Sequence, residues 1–205
     1  MAQGHEQRDR RGEGGFSVLE MLIVVGVLAV LAAIAIPVSQ RALAGERLSS
    51  QGRALLYQVG LAKMRAASAF TRSRLFCDFG NRSFHVEVWD RTASTWVVEG
   101  GAERLPPGVD FGVGTAAGPP TDTQGALGQP APCREGLDDA SPEIADSGCV
   151  VFNSRGVPVD GTGAPTSQNA IYVTDNTGIF GATVSASGLM QLWWTPGGAV
   201  AWARQ

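Results

Sequence analysis

The sequence predicts an α+β protein in which a long N-terminal helix, membrane-spanning and then amphipathic, packs on an antiparallel β-sheet head. Three observations predict it. Phe16 to Ile36 is a run of 21 residues whose only polar side chains are Ser17 and Glu20. A stretch with helical spacing follows, to residue 74. From residue 75 the period shortens to that of strands separated by Gly, Asn, Ser and Asp turns. The chain's 205 residues suffice for one domain of ordinary size plus an anchor. Its 27 glycines and 11 prolines concentrate late, which favours short strands and turns over a helical bundle.

The apolar run comes first. A 21-residue helix spans roughly 30 Å, the thickness of a bilayer core. Arg8, Arg10 and Arg11 precede it, which keeps the amino terminus cytoplasmic and exports the remainder. A cleaved secretory signal would be shorter; the Ala-x-Ala pattern in Arg41-Ala-Leu-Ala-Gly45 lies beyond Pro37. A plain anchor explains the length but not Glu20. An intramembrane carboxylate costs about 2.5–3.5 kcal/mol and marks a functional site. The run itself contains no Lys or Arg to neutralise it.

Gly15 followed by Phe16-Ser17-Val18-Leu19-Glu20-Met21 resembles the processing signal of type IV prepilins and pseudopilins. The resemblance implies cleavage by the prepilin peptidase between Gly15 and Phe16, with N-methylation of Phe16. It also implies that Glu20 pairs with the free amino terminus of a neighbouring subunit, so that burial of the acid is compensated on assembly and fixes register. Pro37 matches the family's helix-kinking proline. The implied organisation is a leader at 1–15, a transmembrane and assembly helix at 16–37, an amphipathic stem at 38–74 and a β-rich head at 75–205.

In the stem, Leu48, Leu55, Val59, Ala62, Ala66 and Phe70 recur at helical spacing and define one apolar face. Arg47, Arg53, Lys63 and Arg65 fall mostly off it and are read as a solvated face. Gly45, Gly52 and Gly60 each weaken the helix by about 1 kcal/mol relative to Ala. Residues 38–76 hold seven Lys/Arg and one acid, whereas 77–205 hold six Arg and fourteen Asp/Glu, so a basic stem carries an acidic head.

In the head, residues 75–79, 84–90, 95–99, 149–152, 170–174, 179–185, 188–194 and 199–203 read as strands, and 104–114 as a turn with a short strand. Alternation along 84–90 places Phe84, Val86 and Val88 on one face, and His85, Glu87 and Trp89 on the other, where His85 is expected to be solvated. Adjacent Trp193 and Trp194 must face opposite ways. Residues 115–148, rich in Gly, Pro, Asp and Ala, form a long loop of the kind that is functional or mobile. With the head outside the inner membrane, Cys133 and Cys149 would bridge at the base of that loop, contributing about 3 kcal/mol in the chain-entropy model, and Cys77 is a buried thiol.

The sequences Leu105-Pro-Pro-Gly-Val-Asp-Phe111, Val150-Val-Phe-Asn-Ser-Arg-Gly156 and the closing 170–194 stretch resemble the GspH/FimT group of minor pseudopilins and minor type IV pilins. That group implies a type IV pilin-like fold and a structural subunit at or near a filament tip: a GspH-like minor pseudopilin of type II secretion. The alternative is a FimT/FimU-like minor pilin in pilus assembly or DNA uptake. The implied partners are other pilins or pseudopilins, the prepilin peptidase and inner-membrane lipid, with a single-pass anchor and a periplasmic head. Nucleic acid is disfavoured by the acidic head.

Catalytic and metal motifs are missing from the sequence. Gly112-Val-Gly114 lacks dinucleotide-loop spacing, and no G-x-S-x-G occurs. His5 and His85 with three scattered cysteines make no zinc site. Asp160-Gly-Thr-Gly163 reads as a turn rather than a calcium loop. The expectation is a protein without cofactor or enzymatic activity.

Overall fold

The computed structural model describes residues 17–199 and 201–205; the leader at 1–15, the Gly15–Phe16 cleavage site and the methylation site at Phe16 lie outside them. Two compact units are distinguished, Met1–Ala42 and Leu43–Gln205, and helix α1, Val18–Ser68, is divided between them. In the first unit every described residue from 17 to 36 is exposed. Val18–Ile36, 19 residues, is long and apolar enough to cross a membrane. Pro37, which has no N–H to donate to the preceding turn, falls inside the bounds of α1.

In the second unit, the predicted stripe Leu48, Leu55, Val59, Ala62 and Ala66 is buried, each at 2% exposure or less. Each fully buried Leu or Val contributes roughly 1.5–3 kcal/mol. Gly52 is the point of closest approach: a Cβ there would meet the Phe180 side chain at 2.9 Å. Phe70, expected on the same stripe, is instead 74% exposed. The helix stops at Ser68, not at 74, because Phe70 adopts φ +49° and closes it. The Phe70 and Thr71 N–H groups donate to the carbonyls of Ala67 (3.3 Å) and Ala66 (3.2 Å). This is a left-handed helix stop built without glycine.

Two antiparallel sheets follow. The first has the order β3-β2-β1-β5, from β1 (Ser73–Asp78), β2 (Ser83–Asp90), β3 (Thr95–Arg104) and β5 (Ser147–Phe152). The second has the order β4-β6-β7-β8-β9, from β4 (Asp110–Phe111), β6 (Asn169–Thr174), β7 (Gly178–Val184), β8 (Met190–Pro196) and β9 (Ala203–Arg204). Strand β3 outruns its predicted end at 99. The expected strand 199–203 is replaced by the short β9, which begins at Ala203, runs to Arg204 and pairs with Trp193 and Trp194.

Leu75, Phe84, Val86, Val150, Phe152, Ile171, Val173 and Val184 join the helix stripe in one core. A second cluster, Ala170, Tyr172 and Ile179, lies beneath Val113, Ala116, Leu127 and Trp202. The long loop therefore has work in the fold. Its Gln129 side chain accepts from Tyr172 N–H (3.1 Å) and donates to Tyr172 C=O (2.8 Å), continuing the β6 ladder where β4 ends. Of the two tryptophans with opposite facing, Trp194 packs on the main core and Trp193 donates its indole N–H to Thr183 Oγ1 at 2.9 Å.

Candidate functional site

At the start of α1, Ser17 acts as N-cap. Its carbonyl accepts from Met21 N–H (3.1 Å) and its hydroxyl oxygen from Leu19 N–H (3.3 Å). Glu20 therefore occupies the first helical turn, where the partial positive charge of the helix terminus favours a carboxylate. Ser17-x-x-Glu20 also has the spacing of a capping box, a local use for the acid beside any intermolecular one. Close to Pro37, the Ser39 hydroxyl donates to Ala35 C=O at 2.9 Å.

The head's chemistry gathers on the outer face of the first sheet. Cys133 and Cys149 are joined by a disulfide across a Cα–Cα distance of 4.9 Å, tying the loop to β5. The tie is reinforced by Cys149 N–H donating to Ala131 C=O (2.9 Å) and Cys133 N–H to Ser147 Oγ (3.0 Å). Between the cysteines the chain folds back on itself. Ile144 N–H donates to Cys133 C=O (2.7 Å), and Arg134 pairs across to Glu143 at 2.8 Å. The result is a flap, residues 131–144, laid over the strands.

Beneath the flap, alternation puts Arg74 of β1 and Glu87 of β2 opposite each other, and both are buried. Arg74 Nε bonds Glu87 Oε2, and its Nη1 donates to Arg134 C=O at 2.5 Å. The guanidinium carbon lies 4.2 Å from the centre of the Trp96 ring, a cation–π contact. His85, expected to be solvated, is 15% exposed: Nε2 is 3.1 Å from Glu87 Oε1, and the ring stacks on Phe76 with centres 5.0 Å apart. Burial by itself would raise the Glu87 pKa. The hydrogen bond from His85 and the charge of Arg74 outweigh it and hold the carboxyl below its ordinary value.

A cavity of about 170 Å³ remains between the flap and residues 159–169. Of its arginines, Arg74 is neutralised by Glu87 and Arg134 by Asp139 and Glu143, whereas Arg72 has no carboxylate within 4.0 Å among the described residues. Asp160 Oδ1 accepts from the N–H groups of Thr162 and Ala164, each at 3.0 Å, closing a turn on itself. Among the described residues, no group of three His, Cys, Asp or Glu side chains is placed to hold a metal. The disulfide spends both cysteines near the cavity, and Cys77 is buried on the core side. The arrangement is suited to sealing and stiffening a surface.

The basic residues of the stem differ from expectation in part. Arg47 and Arg53 are exposed. Lys63 Nζ, however, donates to Gly188 C=O at 2.9 Å, and Arg65 pairs with Glu99 at 2.7 Å. Sequence reasoning missed the Arg74–Glu87–Trp96 cluster. Alternation placed Glu87 on an outer face, but helical spacing assigned Arg74 to the end of the stem rather than to β1, and the available signal was a disulfide that would draw the loop over that face.

No family model matches the sequence. No curated protein matches it. Among solved structures, the chain is similar to the minor pseudopilin EpsH from the Type 2 Secretion System of Vibrio cholerae, with TM-score 0.45 and 12% identity over 71% of this chain and 95% of that one. A crystal structure of the minor pseudopilin EpsH from the type II secretion system of Vibrio cholerae gives TM-score 0.44 and 12% identity, covering 75% of this chain and 97% of that one.

Proposed function

We propose that the chain is a minor pseudopilin of a type II secretion system, a structural subunit processed after Gly15 and placed at or near the pseudopilus tip. The observation that carries this reading is the coincidence at one segment of Gly15, an aromatic start at Phe16, a 21-residue apolar run and a lone carboxylate, Glu20. Residues 16–37 anchor the chain in the inner membrane, 38–74 form the stem and 75–205 the periplasmic head. The peptidase cuts between Gly15 and Phe16, and Phe16 is then N-methylated. Glu20 is neutralised by the amino terminus of an adjacent subunit when the helices pack laterally. That compensation offsets the cost of an acid in the bilayer, about 2.5–3.5 kcal/mol, and sets the axial offset between subunits. Pro37 provides the bend between anchor and stem.

The test is intact mass and amino-terminal sequencing of membrane-extracted protein, with and without the prepilin peptidase. A mature chain beginning at N-methylated Phe16, seen only with the peptidase, is the expected result. A start at Gly45 would mean a secreted domain, and an unprocessed chain an ordinary anchored protein; either would overturn the reading. A FimT/FimU-like minor pilin would be processed identically. Gene neighbourhood separates the two, with a secretin and a secretion ATPase expected beside this one.

A further inference from the structure

In the unit Leu43–Gln205, Arg65, Arg74, Arg82 and Arg134 each have a carboxylate within 4.0 Å. Arg72 and Arg91 have none among the described residues, yet they converge. Both line one pocket of about 260 Å³ at the paired ends of β1 and β2, with Trp89, Leu137, Asn153 and Ser154 among the other walls and no Asp or Glu in the lining. The frame is fixed: Trp89 N–H donates to Arg72 C=O at 2.9 Å, and the Thr71 hydroxyl to Trp89 C=O at 3.2 Å. Each guanidinium is anchored through one nitrogen only. Arg72 Nη1 donates to Leu137 C=O at 2.6 Å, and Arg91 Nη2 donates to the carbonyl of Phe70, the residue that closes α1. The remaining N–H groups of these five-donor forks make no hydrogen bond among the described residues. Asn153 Oδ1 is occupied by the N–H groups of Arg155 and Val157, which leaves its amide nitrogen as a donor.

We propose that this pocket binds a carboxylate presented by a protein partner, an Asp or Glu side chain held between the two guanidiniums with its aliphatic stem against Trp89. Two uncompensated planar forks beside an aromatic wall match a carboxylate bidentately. The surroundings select against a polyanion. Leu137 is followed by Asp138 and Asp139, Arg91 is preceded by Asp90, and residues 77–205 carry fourteen acids against six arginines. A phosphate backbone needs a continuous basic track with successive stacking platforms, whereas a single carboxylate meets only the pocket. The proposal is independent of the assembly reading, since it requires neither processing nor a filament.

The experiment titrates a rhodamine-labelled, C-terminally amidated Gly/Ser hexapeptide carrying a single Glu with the full chain in uncharged detergent at low ionic strength, followed by anisotropy. Saturable binding is expected, weakened at least about fivefold by Arg91→Gln. Arg104→Gln, which removes the same charge from β3 outside the pocket, should leave it unchanged. Arg91→Lys, retaining charge without the fork, should fall between. Arg91 is not part of the core, and unchanged thermal unfolding of each variant keeps a loss of binding interpretable. Absence of binding, or an equal loss from Arg104→Gln, would overturn the proposal. So would displacement of the peptide by inorganic phosphate or oligothymidylate at lower concentration than by the unlabelled single-Glu peptide.

Discussion

Gly52 and Phe70 show opposite uses of a residue at a helix. Helix propensity alone predicts a gain of about 1 kcal/mol for Gly52→Ala. The new Cβ would lie 2.9 Å from Phe180, and overpacking of that kind costs about 1–3 kcal/mol. The clash wins, so Gly52→Ala should lower the thermal midpoint by a few degrees. Phe70→Gly should do the reverse: it relieves a left-handed bulky residue without losing buried surface, for a gain of about 0.5–1 kcal/mol. Both would be measured by thermal unfolding followed by near-ultraviolet circular dichroism. Glu87 sets an acid limit. Its carboxyl titrates lower in the folded chain than in the unfolded one, so its contribution is complete above the ordinary value near 4.5 and is lost as pH falls through the depressed value. The midpoint of the wild-type chain should drop across that window. Glu87→Gln, which strands Arg74, should be less stable by about 3–5 kcal/mol at neutral pH and fall less steeply on acidification.

At the level of elements, the buried stripe of the stem and most strands were legible because a 3.6-residue or two-residue period is printed directly in the spacing of apolar side chains. The end of α1 was not, because the usual glycine stop is replaced by Phe70. The flap was harder still. Nothing periodic marks residues 131–144, whose shape comes from backbone bonds such as Ile144 to Cys133 and from side-chain-to-carbonyl bonds of Arg134. Alternation assigned His85 and Glu87 correctly to the outer face but could not say that another segment covers it. Replacing both Cys133 and Cys149 by Ser should therefore do two things. It should lower stability by about 3 kcal/mol. It should also red-shift tryptophan emission as Trp96 loses its cover, while Glu20 and the apolar helix are untouched.

For the molecule as a whole, residues 43–205 contain a core of their own, with Leu48 as its first fully buried member. A chain beginning at Leu43 should be soluble without detergent and unfold in one transition at the midpoint of the full chain; a large drop would show that the head needs residues 1–42. The core closes through a distant pairing, β1 with β5, which joins residues far apart in the chain, from Ser73 with Phe152 to Asp78 with Ser147. The register of that pairing sets Cys77 opposite Gly148 and Phe76 opposite Cys149, so the free thiol faces the core and the bridged sulfur faces the flap. A slip of one residue would turn the strand over and bring Cys77 directly opposite Cys149. Under oxidising conditions such a chain would be caught in a covalent isomer and leave Cys133 free to cross-link another molecule. The alignment of two strands thus selects which sulfurs meet.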